Sequence, residues 1–448
     1  MSDLSTLAHR LLDAAAKAGA DGSDALVTEA QSVDIGVRSG AMEHAERAEA
    51  IEAGLRVFVG QRSAVVSSSD IRDDTLTTMA SRAVAMAREA PEDPFSGLAD
   101  AGQIAQGWDT EALDLVDPDG APEPDTLRDM ALTAEAAAQD VEGVTQTEGA
   151  SAGHALRALH LAASNGFSGG YARSQTYVSV SAISGSGTGM ERDYDHDSRA
   201  HASDLRKPAE IGRTAGERAV ARQAPRKPAT GPCKVLFDER VSSSLIGHLL
   251  AAANGAMIAR GASWLLGKDG ELVLPEGLDL VEDPHRPRIP GSRPFDAEGL
   301  ATAPRQIVAD GRLTGWTLDL SAARKLGLTS TASAARSVSG TPHPSVGNLT
   351  LTPGANSRDD LIARMGTGLI VTSMIGSTIN PNTGDYSRGA SGFWVENGEI
   401  IHPVSEVTIA GSLPDMLRKI VPANDGRPWL SRVIPSLLIE EGLTLAGA

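Results

Sequence analysis

The sequence predicts an α+β protein: two small helix–meander–helix units at the N-terminus and a large, mostly antiparallel β domain at the C-terminus. Three observations carry this prediction. Apolar periodicity passes from helical to alternating and back to helical twice before residue 224. A compact basic stretch with three prolines, APRKPATGP (224–232), makes a domain boundary. Beyond about residue 260, strand and turn signals dominate.

The elements follow in order. MSDLSTLAHRLLDAAAKAG reads as an amphipathic helix, with Leu4, Leu7, Ala8, Leu11, Leu12 and Ala15 on one face and Gly19 as its stop. It lacks the basic start and apolar core of a secretory leader. Val33, Ile35 and Val37 alternate with polar residues, and 55–59 and 63–67 flank a turn at 60–62, which predicts a hairpin. A helix opens at Asp73 or Asp74 and ends at Pro91, closing a first unit over 1–90. Residues 91–125 hold ten acidic side chains, five prolines and no Lys or Arg, the composition of a solvated linker. The second unit, 126–224, starts with a helix at 126–139. Strands at 144–151, 155–163 and 172–183 follow, with Asn165-Gly166 as a hairpin signal, and a helix at 208–223 ends the unit. The C-terminal domain, 233–448, opens with a strand at 233–237 and a helix at 239–259. Turns at Asp310-Gly311 and Asn397-Gly398 and strands at 348–352, 369–375, 393–395 and 404–410 come after them.

Composition narrows the function. Across 448 residues, 40 Lys and Arg against 58 Asp and Glu leave a net charge of −18, which argues against nucleic acid and anionic membrane as partners. No segment reaches the roughly 20 apolar residues of a membrane span, and a cytoplasmic location is expected. Cys233 is the single cysteine, so the chain can form no internal disulfide and no Cys-rich zinc site. Only 3% of residues are aromatic, and a large β domain has edges to cover, so self-association is expected.

Several motifs fail on spacing. GASWLLGK (261–268) has five residues between its glycines, and Asp269 where a phosphate loop needs Ser or Thr. GSGTG (185–189) reads as a flexible loop. Asp193, Asp195, Asp197 and Asp204 imitate a calcium loop but lack its Gly and its bidentate Glu, and read as a solvated acidic turn. His248 lies on the first helix of the C-terminal domain. A helix-borne zinc site would need a second His at 243 or 244 and an adjacent Glu as general base, and both positions are serine. His248 alone reads as a hydrogen-bonded core or interface residue.

The runs GSRPFDAEG (291–299), LDLSAARKLGLTST (318–331), INPNTGDYSRGASGFWVENGEIIHPVSEVTIAG (379–411) and LPDMLRKI (413–420) resemble the TldD/PmbA family, in its PmbA (TldE) branch. The resemblance extends over essentially the whole chain, from LRVFVGQRSAVVSSSD (55–70) onward. It implies a TldD–TldE peptidase in which the TldD subunit carries an HExxxH zinc site and a Cys ligand. Aligned on Gly247-His248, the first His and the Glu become Ser243 and Ser244, and residues 424–436 hold no Cys. The expectation is a metal-free, non-catalytic subunit with no cofactor of its own. It would pair with a zinc-bearing TldD-like partner, form a homodimer when alone, and act on unfolded or short peptides. A peptidase with an unrecognised metal site and a peptide-binding homodimer are the alternatives. Asn380, Asp385, Tyr386 and Arg388 are candidate substrate or partner contacts, or else residues of tight β-turns.

Overall fold

The first helix, α1 (Leu4–Ala18), buries Leu4, Leu7, Ala8, Leu11 and Ala15; the Asp3 carboxylate caps its start and Gly19, at φ 93°, its end. It belongs to a computed structural model that describes residues 3–447, apart from the side chains of residues 377 and 378. Residues 1, 2 and 448, the outer ends of the first and last expected domains, lie outside it.

After α1 come β1 (Gly22–Arg38), β2 (Ala41–Val59), β3 (Arg62–Ser68) and α2 (Asp73–Glu89). Next are α3 (Pro124–Gln139), β4 (Val144–Ala163), β5 (Ser168–Ser184), β6 (Glu191–Arg199) and α4 (Pro208–Ala221). The two N-terminal units keep separate cores but share one sheet. β1 pairs with β4 from Asp24↔Ala163 to Val37↔Ala150, giving one antiparallel sheet in the order β3-β2-β1-β4-β5-β6. The strands are long enough to serve two cores at once. Ala25 and Val27 pack under α1 and α2, while Ile35 and Val37, of the same parity on β1, pack under α3 and α4. The strands expected at 144–151 and 155–163 are one strand, because Ala152 and Gly153 stay in register with β1 and β5.

The C-terminal domain opens with β7 (Val235–Phe237) and α5 (Glu239–Ala252), then α6 (Gly255–Ala259). One helix over 239–259 was expected. Asn254 instead turns extended and caps α6 with its side chain, and the Gly255 amide leaves the helix to bond the Thr317 carbonyl. Further on lie α7 (Leu320–Leu326), β8 (Gly368–Ile379), β9 (Asp385–Glu396) and β10 (Glu399–Ser412). β7 pairs parallel with β8, and β8, β9 and β10 run antiparallel within an eight-stranded sheet. A five-stranded sheet lies beside it, and the mixed α+β architecture is the one the sequence predicts.

The layers are tightly joined. Asp24 of β1 is buried between Arg56 and Arg336, the latter from the C-terminal domain. A Cβ on Gly54 would stand 1.9 Å from the Val338 carbonyl oxygen, so only glycine allows that approach. The acidic segment 91–125 contributes to the join and is not wholly solvated. Ala99, Ala105, Leu113, Leu115 and Asp117 are buried, and Trp108 packs edge-on against Phe295 at 4.9 Å. Its acids outnumber its apolar anchors, which hides them in composition; the Leu113–Leu115 alternation is the trace they leave.

Candidate active-site helix

α5 starts where β7 ends. The Asp238 carboxylate accepts the Arg240 amide, and Leu245, Ile246, Leu249 and Leu250 press the helix onto the sheet. The helix is unbroken from Glu239 to Ala252. At about 100° per residue, Ser243 and His248 therefore diverge by about 140°, while Ser244 and His248 share one face.

Across from that face is β9. Tyr386 and Arg388 alternate with Ser387, so both lie on the same side of the strand. The His248 and Tyr386 rings meet edge to face, 6.0 Å between centroids. The Tyr386 hydroxyl donates to Met374 Sδ at 3.5 Å, and Arg388 Nε donates to the Gly376 carbonyl at 2.8 Å. Burial, then the Arg388 charge, push the His248 imidazole below its usual range. Burial pushes the Tyr386 phenol up to about 12. Ser244 Oγ and His248 Nε2 are shut from solvent and have no hydrogen-bond partner among the described residues. Ser242, by contrast, is bonded to the Ile434 carbonyl at 3.2 Å.

The structure thus brings Ser244, His248, Tyr386 and Arg388 together and turns Ser243 away. Asn380 and Asp385 serve a turn. The Asn380 amide donates to the Asp385 carbonyl, the Gly384 amide to the Asn380 carbonyl, and Thr383 to the Asp385 carboxylate at 2.6 Å. Gly384, at φ +79°, sits against Pro414 and Trp264, and the Trp264 amide donates to the Pro381 carbonyl. Beside Gly376, Ile375 is 77% exposed. The link between His248 and Tyr386 was missed in sequence; the i, i+4 pair Ser244–His248 and the i, i+2 pair Tyr386–Arg388 were the signals present.

A zinc ion does not fit this group. It offers one imidazole nitrogen, a serine hydroxyl, a phenol held protonated and a guanidinium cation, where three protein donors and a carboxylate base are needed. Among the described residues no three His, Cys, Asp or Glu side chains converge.

The acidic run on β6 also departs from expectation. Asp193, Asp195 and Asp197 are 3–5% exposed, not a solvated turn. They alternate on one face of β6, which α4 and the C-terminal domain cover. Arg240 of α5 reaches Asp193 at 2.6 Å, Arg206 and Arg218 hold Asp195, and Arg199 holds Asp197. Buried carboxylates need such partners to stay charged.

The class of protein is defined by comparison with known proteins, which places this fold in a metallopeptidase family. Three family models cover it: PmbA/TldA metallopeptidase domain 1 at 23–87, the central domain at 117–223 and the C-terminal domain at 230–447. The metalloprotease PmbA of Escherichia coli O157:H7 is 36% identical over 90% of this chain and 87% of its own length. A crystal structure of a putative modulator of DNA gyrase from Bacteroides thetaiotaomicron superimposes with a TM-score of 0.91 at 28% identity, covering all of both chains. TldE from Thermococcus kodakarensis shares the fold, with a TM-score of 0.83 at 19% identity over 98% of this chain and 99% of its own. The chain belongs to the PmbA/TldD metallopeptidase family, in its PmbA branch.

Proposed function

We propose that this chain is the metal-free, non-catalytic subunit of a cytoplasmic peptidase. It pairs with a TldD-like subunit that carries the zinc, and it helps to hold unfolded or short peptides for that partner. The observation that carries this reading is the donor set on α5. Where a catalytic helix needs a ligand His and a base, this helix presents Ser244 on the face of His248, with the Arg388 cation opposite. The exposed Ile375 beside this group supports a docking role, since a large apolar side chain at such exposure favours a covering surface. When alone, the chain pairs with a second copy of itself.

The test combines the purified chain with a TldD-like subunit and follows cleavage of an unstructured fluorogenic peptide. Turnover is expected only in the mixture, with a heterodimer formed in sedimentation. Turnover by this chain alone, with about one zinc per chain that is lost in His248→Ala, would overturn the reading.

A further inference from the structure

A cavity of ≈ 370 Å³, lined in part by α6, lies between the N-terminal sheet and the C-terminal domain and falls within the usual size range for small-ligand sites. Its charges are sorted by depth. At the floor is Asp319, 3% exposed; one carboxylate oxygen caps α7 through the Ala322 amide at 2.7 Å, and the other has no hydrogen-bond partner among the described residues. At the rim are Arg260 and Lys325, both exposed and without an ion pair among the described residues. Four further titratable side chains line the cavity, and one of them, His343, is exposed and close enough to favour the Asp319 carboxylate. Arg56 is bound to Asp24, and Asp93 accepts the Phe95 amide at the rim. Glu298 is pushed up to about 8 by burial and by Asp296, which leaves it mostly neutral at neutral pH. Ala256 and Ala322 supply apolar surface to the lining.

We infer that this cavity binds a zwitterion of dipeptide size, with its ammonium group on Asp319 and its carboxylate on Arg260 and Lys325. An anion alone would leave the Asp319 oxygen unpaired, and a cation alone would leave both rim bases to water; one molecule carrying both charges engages all three. The small side chain of such a ligand meets the alanine surface. Because the site joins β2, α6 and α7, occupancy ties the two layers together next to the helix that follows α5. The inference rests on the cavity and not on the heterodimer reading.

Isothermal titration of the isolated full chain with L-alanyl-L-alanine tests it. One-to-one binding is expected, weakened about tenfold or more by N-acetylation of the ligand and equally by C-terminal amidation. Asp319→Asn, which keeps the cap on α7, should erase the preference for the free amine. Arg260→Ala with Lys325→Ala should erase the preference for the free carboxylate. Ala256→Leu, which fills the space without touching a charge, should abolish binding, whereas His248→Ala should not alter it. Absence of binding up to about 10 mM, equal binding of the blocked ligands, or full binding to Ala256→Leu would each overturn the inference. The ligand series on the unmodified chain decides even if a variant fails to fold.

Discussion

The first turn of α5 and its middle treat their polar side chains in opposite ways. In the first turn, Arg240 is committed to Asp193 of the N-terminal sheet, and Glu239 is paired with Arg427. One turn later for Ser244 and two for His248, Ser244 Oγ and His248 Nε2 are shielded from water and have no hydrogen-bond partner among the described residues. A buried polar atom without a partner costs about 1–3 kcal/mol, so the first turn contributes to the join between layers and the middle of the helix works against stability. The contrast separates structural burial from burial that stability alone does not account for. By that measure the imitation calcium run is structural and the serine–histidine face is not.

The largest expected effect comes from breaking the satisfied turn. Asp193→Ala leaves Arg240 and Arg222 facing a buried gap and should destabilise the chain by about 3–5 kcal/mol in urea denaturation. A loss below about 1 kcal/mol would place Asp193 among ordinary surface pairs.

A second measurement sets a buried acid that has a cation against one that does not. Burial works against the Asp193 carboxylate, yet Arg240 holds it below the usual range; Glu298 has no such partner and is pushed up to about 8. Between the usual 4.5 and about 8 the folded state binds a proton that the unfolded chain has lost, so Glu298 stabilises least at high pH. Glu298→Gln should remove a downward slope of up to about 1.4 kcal/mol per pH unit across that window. Parallel stability–pH curves for the two proteins would refute it.

Smaller effects should separate neighbouring serines. Ser242→Ala loses the bond to Ile434 and should cost about 1 kcal/mol, whereas Ser244→Ala removes an unpaired hydroxyl and should be neutral or slightly stabilising. Equal losses would mean that Ser244 has a partner in solution. The smallest change in stability is expected of Arg388→Gln, read by NMR titration of His248. Its imidazole should move up toward its usual range as one of the two depressing causes disappears. An unmoved titration would show that burial acts alone.

Much of this molecule was legible in its residues. The helices at 4–18, 73–89, 124–139 and 208–221 follow from apolar periodicity and end signals, and the hairpin turns at Gly60 and Asn397-Gly398 from turn chemistry. These depend on neighbours a few residues apart. The long run from Ile379 to Gly411 also marked the family, and the serines at 243 and 244 marked the departure from its metal motif.

What only the tertiary structure decided involves groups far apart in the chain. The pairing of β1 with β4 joins residues more than a hundred positions apart, and it fused two expected units into one sheet. Asp193 reads as solvated until Arg240, 47 residues on, covers it. Tyr386 becomes a neighbour of His248 only because β9 lies under α5. Local sequence sets backbone preference through short-range sterics and hydrogen bonding. Whether a polar side chain is buried, paired or left without a partner depends on which distant surface closes over it.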